Sequence, residues 1–248
     1  MAELTVKEAS EAYESSMRNV SPAGPGVCWI CKTFIDPGYQ ACIPCSRQPN
    51  PIQVVVPISY SPHLDQVHHA LASYKNAPVP EARRYATVRL AGILWRFLEA
   101  HEPCVARAAQ VPSFDLVTTV PSSSPAADEQ RGRLRLIVSW CEPVASRFER
   151  VLRATGEVHG RHYDEGRYRC EADLSGKNVL LVDDTWTSGG HAQSAGRTLI
   201  KAGASTVAAV VIGRHLRPEW ELTPGGETSG DRYDALPRRF DWTTCAVH

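Results

Sequence analysis

The run Val179-Leu-Leu-Val-Asp-Asp-Thr-Trp-Thr-Ser-Gly-Gly-His191 constrains this chain more than any other stretch. Four apolar residues, Val179 to Val182, suit a strand buried on both faces, as in a parallel sheet. Asp183 and Asp184 follow at once. The turn from Thr185 to Gly190 is rich in hydroxyls and glycine, and the segment from Ala192 to Ile200 reads as a helix. N–H groups at a helix start point outward, and the helix dipole favours an anion there. Strand, polar loop and helix N-terminus together make a phosphate cradle. Gly189 and Gly190 let the backbone approach a ligand closely, and Thr187 and Ser188 add hydroxyl donors. The acids do not belong to a phosphate site, because carboxylates repel phosphate. They suit sugar hydroxyls or a hydrated Mg²⁺. A ribose 5-phosphate satisfies both halves. The plain alternative is a strand ending in two solvated acids and an ordinary glycine turn. The four parts standing together in order favour the ligand site.

The chain has 248 residues and an ordinary hydrophobic content of 43%, enough for one large domain or a core with a small module. Lys plus Arg equals Asp plus Glu, 27 each, so no global charge attracts nucleic acid. No apolar run approaches the roughly 20 residues that span a bilayer, and Met1-Ala-Glu-Leu-Thr-Val-Lys-Glu8 lacks the charged-then-apolar pattern of a signal peptide. The expected location is cytoplasmic. Structural disulfides are rare there, which turns attention to the cysteines as metal ligands.

Cys28-Trp-Ile-Cys31 and Cys42-Ile-Pro-Cys45 are two Cys-x-x-Cys pairs with ten residues between them. This spacing reads as a zinc ribbon. Four thiolates close a tetrahedral site with no position left for water, so the zinc is expected to be structural. A segment so short buries little core, and the metal dominates its stability. Paired disulfides or free thiols are the plain alternatives. Cys104, Cys141 and Cys170 read as small buried apolar residues. Cys245 and His248 form a Cys-x-x-His pair in the tail, read as incidental.

Ser21-Pro-Ala-Gly-Pro-Gly26 is a linker by composition. The chain therefore divides into an N-terminal segment and linker over 1–26, the ribbon over 27–50, an α/β domain over 51–215 and an irregular tail over 216–248. Pro57-Ile-Ser-Tyr60 leads into a helical pattern from about His63 to Tyr74, and a longer helix is expected over about 80–100. Phe114 to Pro121 reads as a strand ending in a loop, followed by a helix over about 131–152. The polar stretch 153–169 contains His159, His162 and Tyr163 and reads as exposed surface rather than as cover for the site. Thr206 to Ile212 is another apolar strand. Strands alternating with helices imply parallel βαβ units and an open sheet, whose ligands bind beyond the strands' C-terminal ends.

Val179–His191 resembles the phosphoribosyl diphosphate (PRPP) motif of type I phosphoribosyltransferases. The resemblance implies that Asp183 and Asp184 contact the ribose hydroxyls and serve catalysis. It implies that Thr185, Thr187, Ser188, Gly189, Gly190 and His191 hold the phosphoribosyl group, with Mg²⁺ accompanying PRPP. Thr185 and Trp186 stand where the family mostly has aliphatic residues, and His191 where it has Thr or Ser. A four-cysteine ribbon ahead of this motif is similar to the ComF-type family, associated with bacterial competence and DNA uptake. Ala70-Leu-Ala-Ser-Tyr-Lys75, Thr118-Thr-Val-Pro-Ser122 and Arg131-Gly132 are similar to further family segments. The family's Arg-Gly-Phe-Asn run is replaced by Arg131-Gly-Arg-Leu-Arg135. The implied fold is α/β, an open, mainly parallel sheet of type I phosphoribosyltransferase kind with a small N-terminal ribbon. Ser122, Ser123, Arg131 and Lys75, with Arg133, are the candidates for the pyrophosphate side.

Two functions remain open. One is Mg²⁺-dependent phosphoribosyl transfer to an unknown acceptor. The other is non-catalytic sensing of PRPP or a nucleotide, or handling of single-stranded DNA. The ribbon favours a protein or single-stranded DNA partner. Trp29 and Phe34 are candidates to stack on bases, and buried packing explains them equally well.

Overall fold

The computed structural model describes residues 4–122, 124–130 and 132–247. Ser123 and Arg131, two of the pyrophosphate-side candidates, lie outside them, as does His248. The chain opens with helix α1 (Val6–Glu11) and, after the cysteine segment with its one-turn helix α2 (Ile43–Ser46), enters strand β1 (Val54–Pro62). Helices α3 (Gln66–Asn76) and α4 (Pro80–Ala108) lead to β2 (Leu116–Thr119). Short helices α5 (Pro125–Gln130), α6 (Arg133–Ser139) and α7 (Glu142–Ala145) precede an antiparallel hairpin of β3 (Leu152–Ala154) and β4 (Tyr168–Cys170). Then follow β5 (Asn178–Trp186), α8 (Gly190–Lys201), β6 (Thr206–Leu216) and α9 (Ser229–Asp234).

Four strands form one sheet in the order β1-β6-β5-β2, and every neighbouring pair is parallel. The α/β architecture with a parallel sheet is thus present. Its strands are apolar on both faces because both faces are covered. Leu180 and Val182 join Val56, Val117 and Val210 against Leu90, Leu94 and Phe97 of α4. Val179 and Leu181 join Val55, Leu116 and Val211 against Ala195 and Leu199 of α8 and the cysteine segment. The period-two alternation of the strand sorts neighbours onto opposite cores.

The structure differs from the sequence reading in three places. The helix expected over 131–152 is broken: α6 stops at Ser139, α7 starts at Glu142 with Pro143 in its first turn, and the chain then extends into β3. A proline suits the first turn of a helix and not its interior. The strand around Pro57 is longer than its apolar pattern suggests, because β1 lies at the sheet edge, where a residue without an N–H is tolerated. Residues 216–248 are not wholly irregular. A capping box between Thr228 and Asp231 starts α9, and Phe240, Cys245 and Ala246 are buried against the α4 side of the core. Among the described residues, no helix is long and apolar enough to cross a membrane.

Candidate functional site

The chain leaves β2 and β5, adjacent strands, at their C-terminal ends. After β2 the chain packs α6 on the α4 face, whereas after β5 it packs α8 on the other. Diverging connections of this kind open a crevice where α/β sheets bind ligands. A cavity of about 690 Å³ lies there, in the size range of small-molecule sites. It is lined by Lys75, Ser122, Asp183, Asp184, Thr185, Thr187, Ser188, Gly189, Gly190 and His191.

Successive residues of β5 point to opposite sides, so the acids diverge. Asp184 is 4% exposed and is turned toward α3, where the Tyr74 hydroxyl donates to its Oδ2 and the Lys75 ammonium pairs with the same oxygen. Lys75 therefore sits on the acid pair. Asp183 is half-buried, and its Oδ1 accepts the Asp184 backbone N–H at 2.9 Å. Burial pushes the Asp183 carboxyl up to about 6, opposed by the Lys75 charge. Burial likewise pushes Asp184 up to about 7. A cation or a hydroxyl donor brought to these acids favours their charged forms.

Gly189 takes φ +82° and precedes α8, a left-handed conformation that suits glycine. A side chain there would strike the Trp186 ring at 2.3 Å. Trp186 is buried beneath the turn and does not line the cavity. The polar loop between β3 and β4 is a correction to the sequence reading. His159 and His162 are exposed, but the loop's backbone packs on the cradle. The Ser188 hydroxyl donates to the Arg161 carbonyl at 3.2 Å, and His191 Nε2 donates to the Gly160 carbonyl at 3.0 Å. Asp164 N–H donates to Ser194 Oγ on α8 at 2.9 Å. A Cβ on Gly190 would lie 2.2 Å from the Arg161 carbonyl oxygen and 2.6 Å from the His162 carbonyl carbon. Backbone cannot yield as a side-chain tip can, so Gly190→Ala is expected to lift this loop at a cost of about 1–3 kcal/mol. Limited proteolysis should then cut faster within 156–166. An unchanged cleavage pattern and melting temperature would contradict the seating described.

The part of the cavity lined by Ser122 and Arg135 is organised around a residue the sequence reading missed. Asp128 is 4% exposed. It accepts the Ser122 N–H at 3.0 Å and pairs with Arg135 at 2.9 Å and Arg150 at 2.7 Å. Of the arginines in the 131–135 run, Arg135 reaches the cavity and Arg133 does not line it. His63, His68 and His215 also line the cavity, with ring centroids 5.1 to 6.2 Å apart. Burial, with the nearby His68 and Arg214, pushes His215 down to about 4. His63 and His68 stand five residues apart, but His215 comes from the other end of the chain, so no local pattern announces the group of three.

The four cysteines of the N-terminal segment form one cluster. Their sulfurs all lie within 4.8 Å of one another, and Cys31 Sγ and Cys42 Sγ are 3.6 Å apart. A tetrahedral ion with metal–sulfur bonds of about 2.3 Å spaces its sulfurs by about 3.8 Å. The cluster can therefore hold a metal ion. Cys28 N–H donates to the Thr33 carbonyl and Lys32 N–H to the Cys28 carbonyl, with Lys32 at φ +61° closing the first knuckle. The segment is seated on the sheet. Phe34 packs on Tyr60 with ring centroids 4.8 Å apart, and its burial removes it as a base-stacking candidate. Arg214 of β6 is 5% exposed. It donates to the Cys31 carbonyl at 2.9 Å, to Cys31 Sγ at 3.3 Å and to the Trp186 carbonyl at 3.0 Å. Burial opposes ionisation of Cys31, but hydrogen bonds from Cys42 and Cys45 and the Arg214 charge bring its thiol down to about 6.

No protein-family model matches the chain, and no curated protein matches it. Solved structures do. One is the allosteric regulatory enzyme of purine biosynthesis, with a TM-score of 0.35 and 20% identity over 57% of this chain. This chain spans only 30% of that enzyme's length. Another is a hypoxanthine phosphoribosyltransferase from Staphylococcus aureus, with a TM-score of 0.31 and 11% identity, covering 50% of this chain and 74% of that one.

Proposed function

We propose that this protein binds PRPP, or a closely related ribose 5-phosphate, together with Mg²⁺, and transfers the phosphoribosyl group to an acceptor with loss of pyrophosphate. One observation carries the reading. An acid pair, a hydroxyl-and-glycine loop and a helix N-terminus open, in chain order, onto the same cavity as the Ser122 loop of the neighbouring strand. Thr187, Ser188 and the backbone of Gly189, Gly190 and His191 take the phosphate. Asp183 and Asp184 hold the ribose hydroxyls. In the reaction the bond from C1 to the pyrophosphate oxygen breaks, a bond from C1 to the acceptor's nucleophilic atom forms, and the acceptor's proton is released. Positive charge builds on the ribose ring as pyrophosphate leaves, and the charged forms of Asp183 and Asp184 would stabilise it. A Mg²⁺ ion accompanying PRPP would supply charge neutralisation to the leaving pyrophosphate. The cavity-lining carboxylate of Asp183 is the hard oxygen donor that suits it.

The cysteine cluster is assigned to a structural zinc. Four sulfur ligands at tetrahedral spacing match that ion and leave no position for a reacting water. None of the eight cysteines is joined in a disulfide, so the four of the cluster are available as ligands. On this reading 27–50 is the ribbon and 51–215 the phosphoribosyltransferase-like domain. Trp29, Tyr39 and Ile43 are exposed on the ribbon, which supports a role for it in binding a protein or single-stranded DNA.

A second reading, a PRPP sensor without turnover, is favoured by how fully the site's anion- and sugar-binding groups are already engaged. Asp184 is held by Tyr74 and Lys75, and Asp128 occupies the Ser122 N–H together with Arg135. Calorimetric titration with PRPP and Mg²⁺ tests the common core of both. Hydrogen bonds to charged groups contribute about 1.5–3 kcal/mol each, so Asp183→Asn with Asp184→Asn is expected to weaken binding by at least about 100-fold. Unaltered affinity in the double variant would sink the site assignment. Pyrophosphate release with a panel of nucleobases and amines favours the transferase, and binding without release favours the sensor.

A further inference from the structure

We propose that His101, Cys104 and Cys245 form a second metal site, a two-thiolate, one-imidazole clip for Zn²⁺ that fastens the C-terminal segment to α4. The three ligand atoms lie within 4.8 Å of one another. His101 and Cys104 are three residues apart on α4, so they share a helix face. His101 Nδ1 is 3.8 Å from Cys104 Sγ. Around a tetrahedral zinc, with bonds of about 2.0–2.1 Å to nitrogen and 2.3 Å to sulfur, these atoms stand about 3.6 Å apart. The pair is therefore spaced to share one ion with little movement.

The imidazole is also set in the metal-binding tautomer. Its Nε2 lies 2.9 Å from the Trp242 carbonyl oxygen. A carbonyl only accepts, so Nε2 carries the proton, and in the neutral ring Nδ1 presents its lone pair toward the sulfurs. A ligating histidine that donates its other N–H to a backbone carbonyl is the usual arrangement around zinc. The ring is 3% exposed and packs on Phe97 with centroids 4.9 Å apart. Arg107 NH2 approaches Cys104 Sγ at 3.7 Å.

Cys245 is delivered by a segment with its own anchors. Asn19 Nδ2 donates to the Asp241 carbonyl at 2.8 Å, and Asp241 N–H donates to Asn19 Oδ1 at 2.7 Å. The Trp242 indole donates to Glu14 at 3.1 Å and lies under the Arg96 guanidinium, 4.1 Å from the ring centroid. These contacts bring Cys245, 6% exposed, beside His101 and Cys104. Soft sulfur with imidazole selects zinc over magnesium or calcium. Three protein ligands leave a coordination position open, so this zinc should be released to a chelator before the one held by four thiolates.

The test is zinc stoichiometry of the full-length protein, purified in reductant and equilibrated with Zn²⁺. The wild type is expected to hold one zinc more than either Cys245→Ser or Cys104→Ser. Release to a chromophoric chelator should be biphasic in the wild type, with the fast phase missing from both variants. Circular dichroism checks that the variants are folded. Cobalt supplies an independent readout: Co²⁺ added to the wild type should show thiolate charge-transfer bands from two sites, and the variants should lose the weaker-binding set. Equal zinc content in wild type and both variants would overturn the proposal. So would a Cys104–Cys245 disulfide, found by intact mass, in protein kept reduced.

Discussion

Cys31→Ser is expected to strip the cluster of its metal and to unfold the N-terminal module. Apparent binding energies of structural zinc in small peptides are on the order of 10–16 kcal/mol, and a whole domain is stable by about 5–15 kcal/mol. The loss cannot be absorbed locally. Cys28, Cys31 and Cys45 belong to the same buried cluster as Ile52, Val55, Trp186 and Val211, so an unfolded ribbon uncovers one end of the sheet. One metal fewer per chain and a large drop in melting temperature are the expected readings. A strong chelator should reproduce both in the wild type. Retention of the metal, or an unchanged melt after its loss, would show that the four cysteines do not carry a structural ion.

Arg214→Leu is expected to be nearly as damaging, although it removes none of the four cysteines. The buried guanidinium serves the Cys31 carbonyl and sulfur on one side and the Trp186 carbonyl on the other. Leucine fills part of the volume and leaves these acceptors, and the negative thiolates, without their donor. Removing one member of a buried charged network costs about 3–5 kcal/mol. Two readouts should move together: faster metal loss to a chelator, and weaker PRPP binding as the Trp186–Gly189 turn loosens. Arg214→Lys keeps the charge but not the fork of donors, and should recover only part of either. A variant that lost stability while holding both metal and ligand normally would show the two sides to be independent.

What was legible in the sequence was local. The strand Val179–Val182, the acids and the glycine turn lie within thirteen consecutive residues, so each physical requirement stood beside the next. The four cysteines were legible because knuckle spacing is itself short-range. The rest was hidden for identifiable reasons. β1 carries Pro57 and Pro62, which argue against a strand until its place at the sheet edge is known. The β3–β4 loop meets the cradle mainly through the carbonyls of Gly160 and Arg161, and main-chain contacts leave no residue signature. Asp128 reads as a solvated helix residue until Arg135 and Arg150 close on it. Cys245 and His101 are separated by most of the chain, so nothing in their neighbourhoods linked a tail cysteine to a buried helix.

The pairing of β1 with β6 sets an order on biosynthesis. β1 and the cysteine knuckles leave the ribosome early, yet β1's partner strand comes about 150 residues later, and Arg214, part of the seat for the knuckles, comes 183 residues after Cys31. On the proposed zinc assignment the cysteine segment would capture its metal long before it has anything to dock on, whereas β1 must wait as an unpaired apolar edge. At translation speeds of about 5–20 residues per second the exposure lasts on the order of ten seconds. A metal loaded that early would have a second consequence: it would keep the nascent N-terminal segment compact, and its thiols out of reach of oxidants, until the last strand arrives.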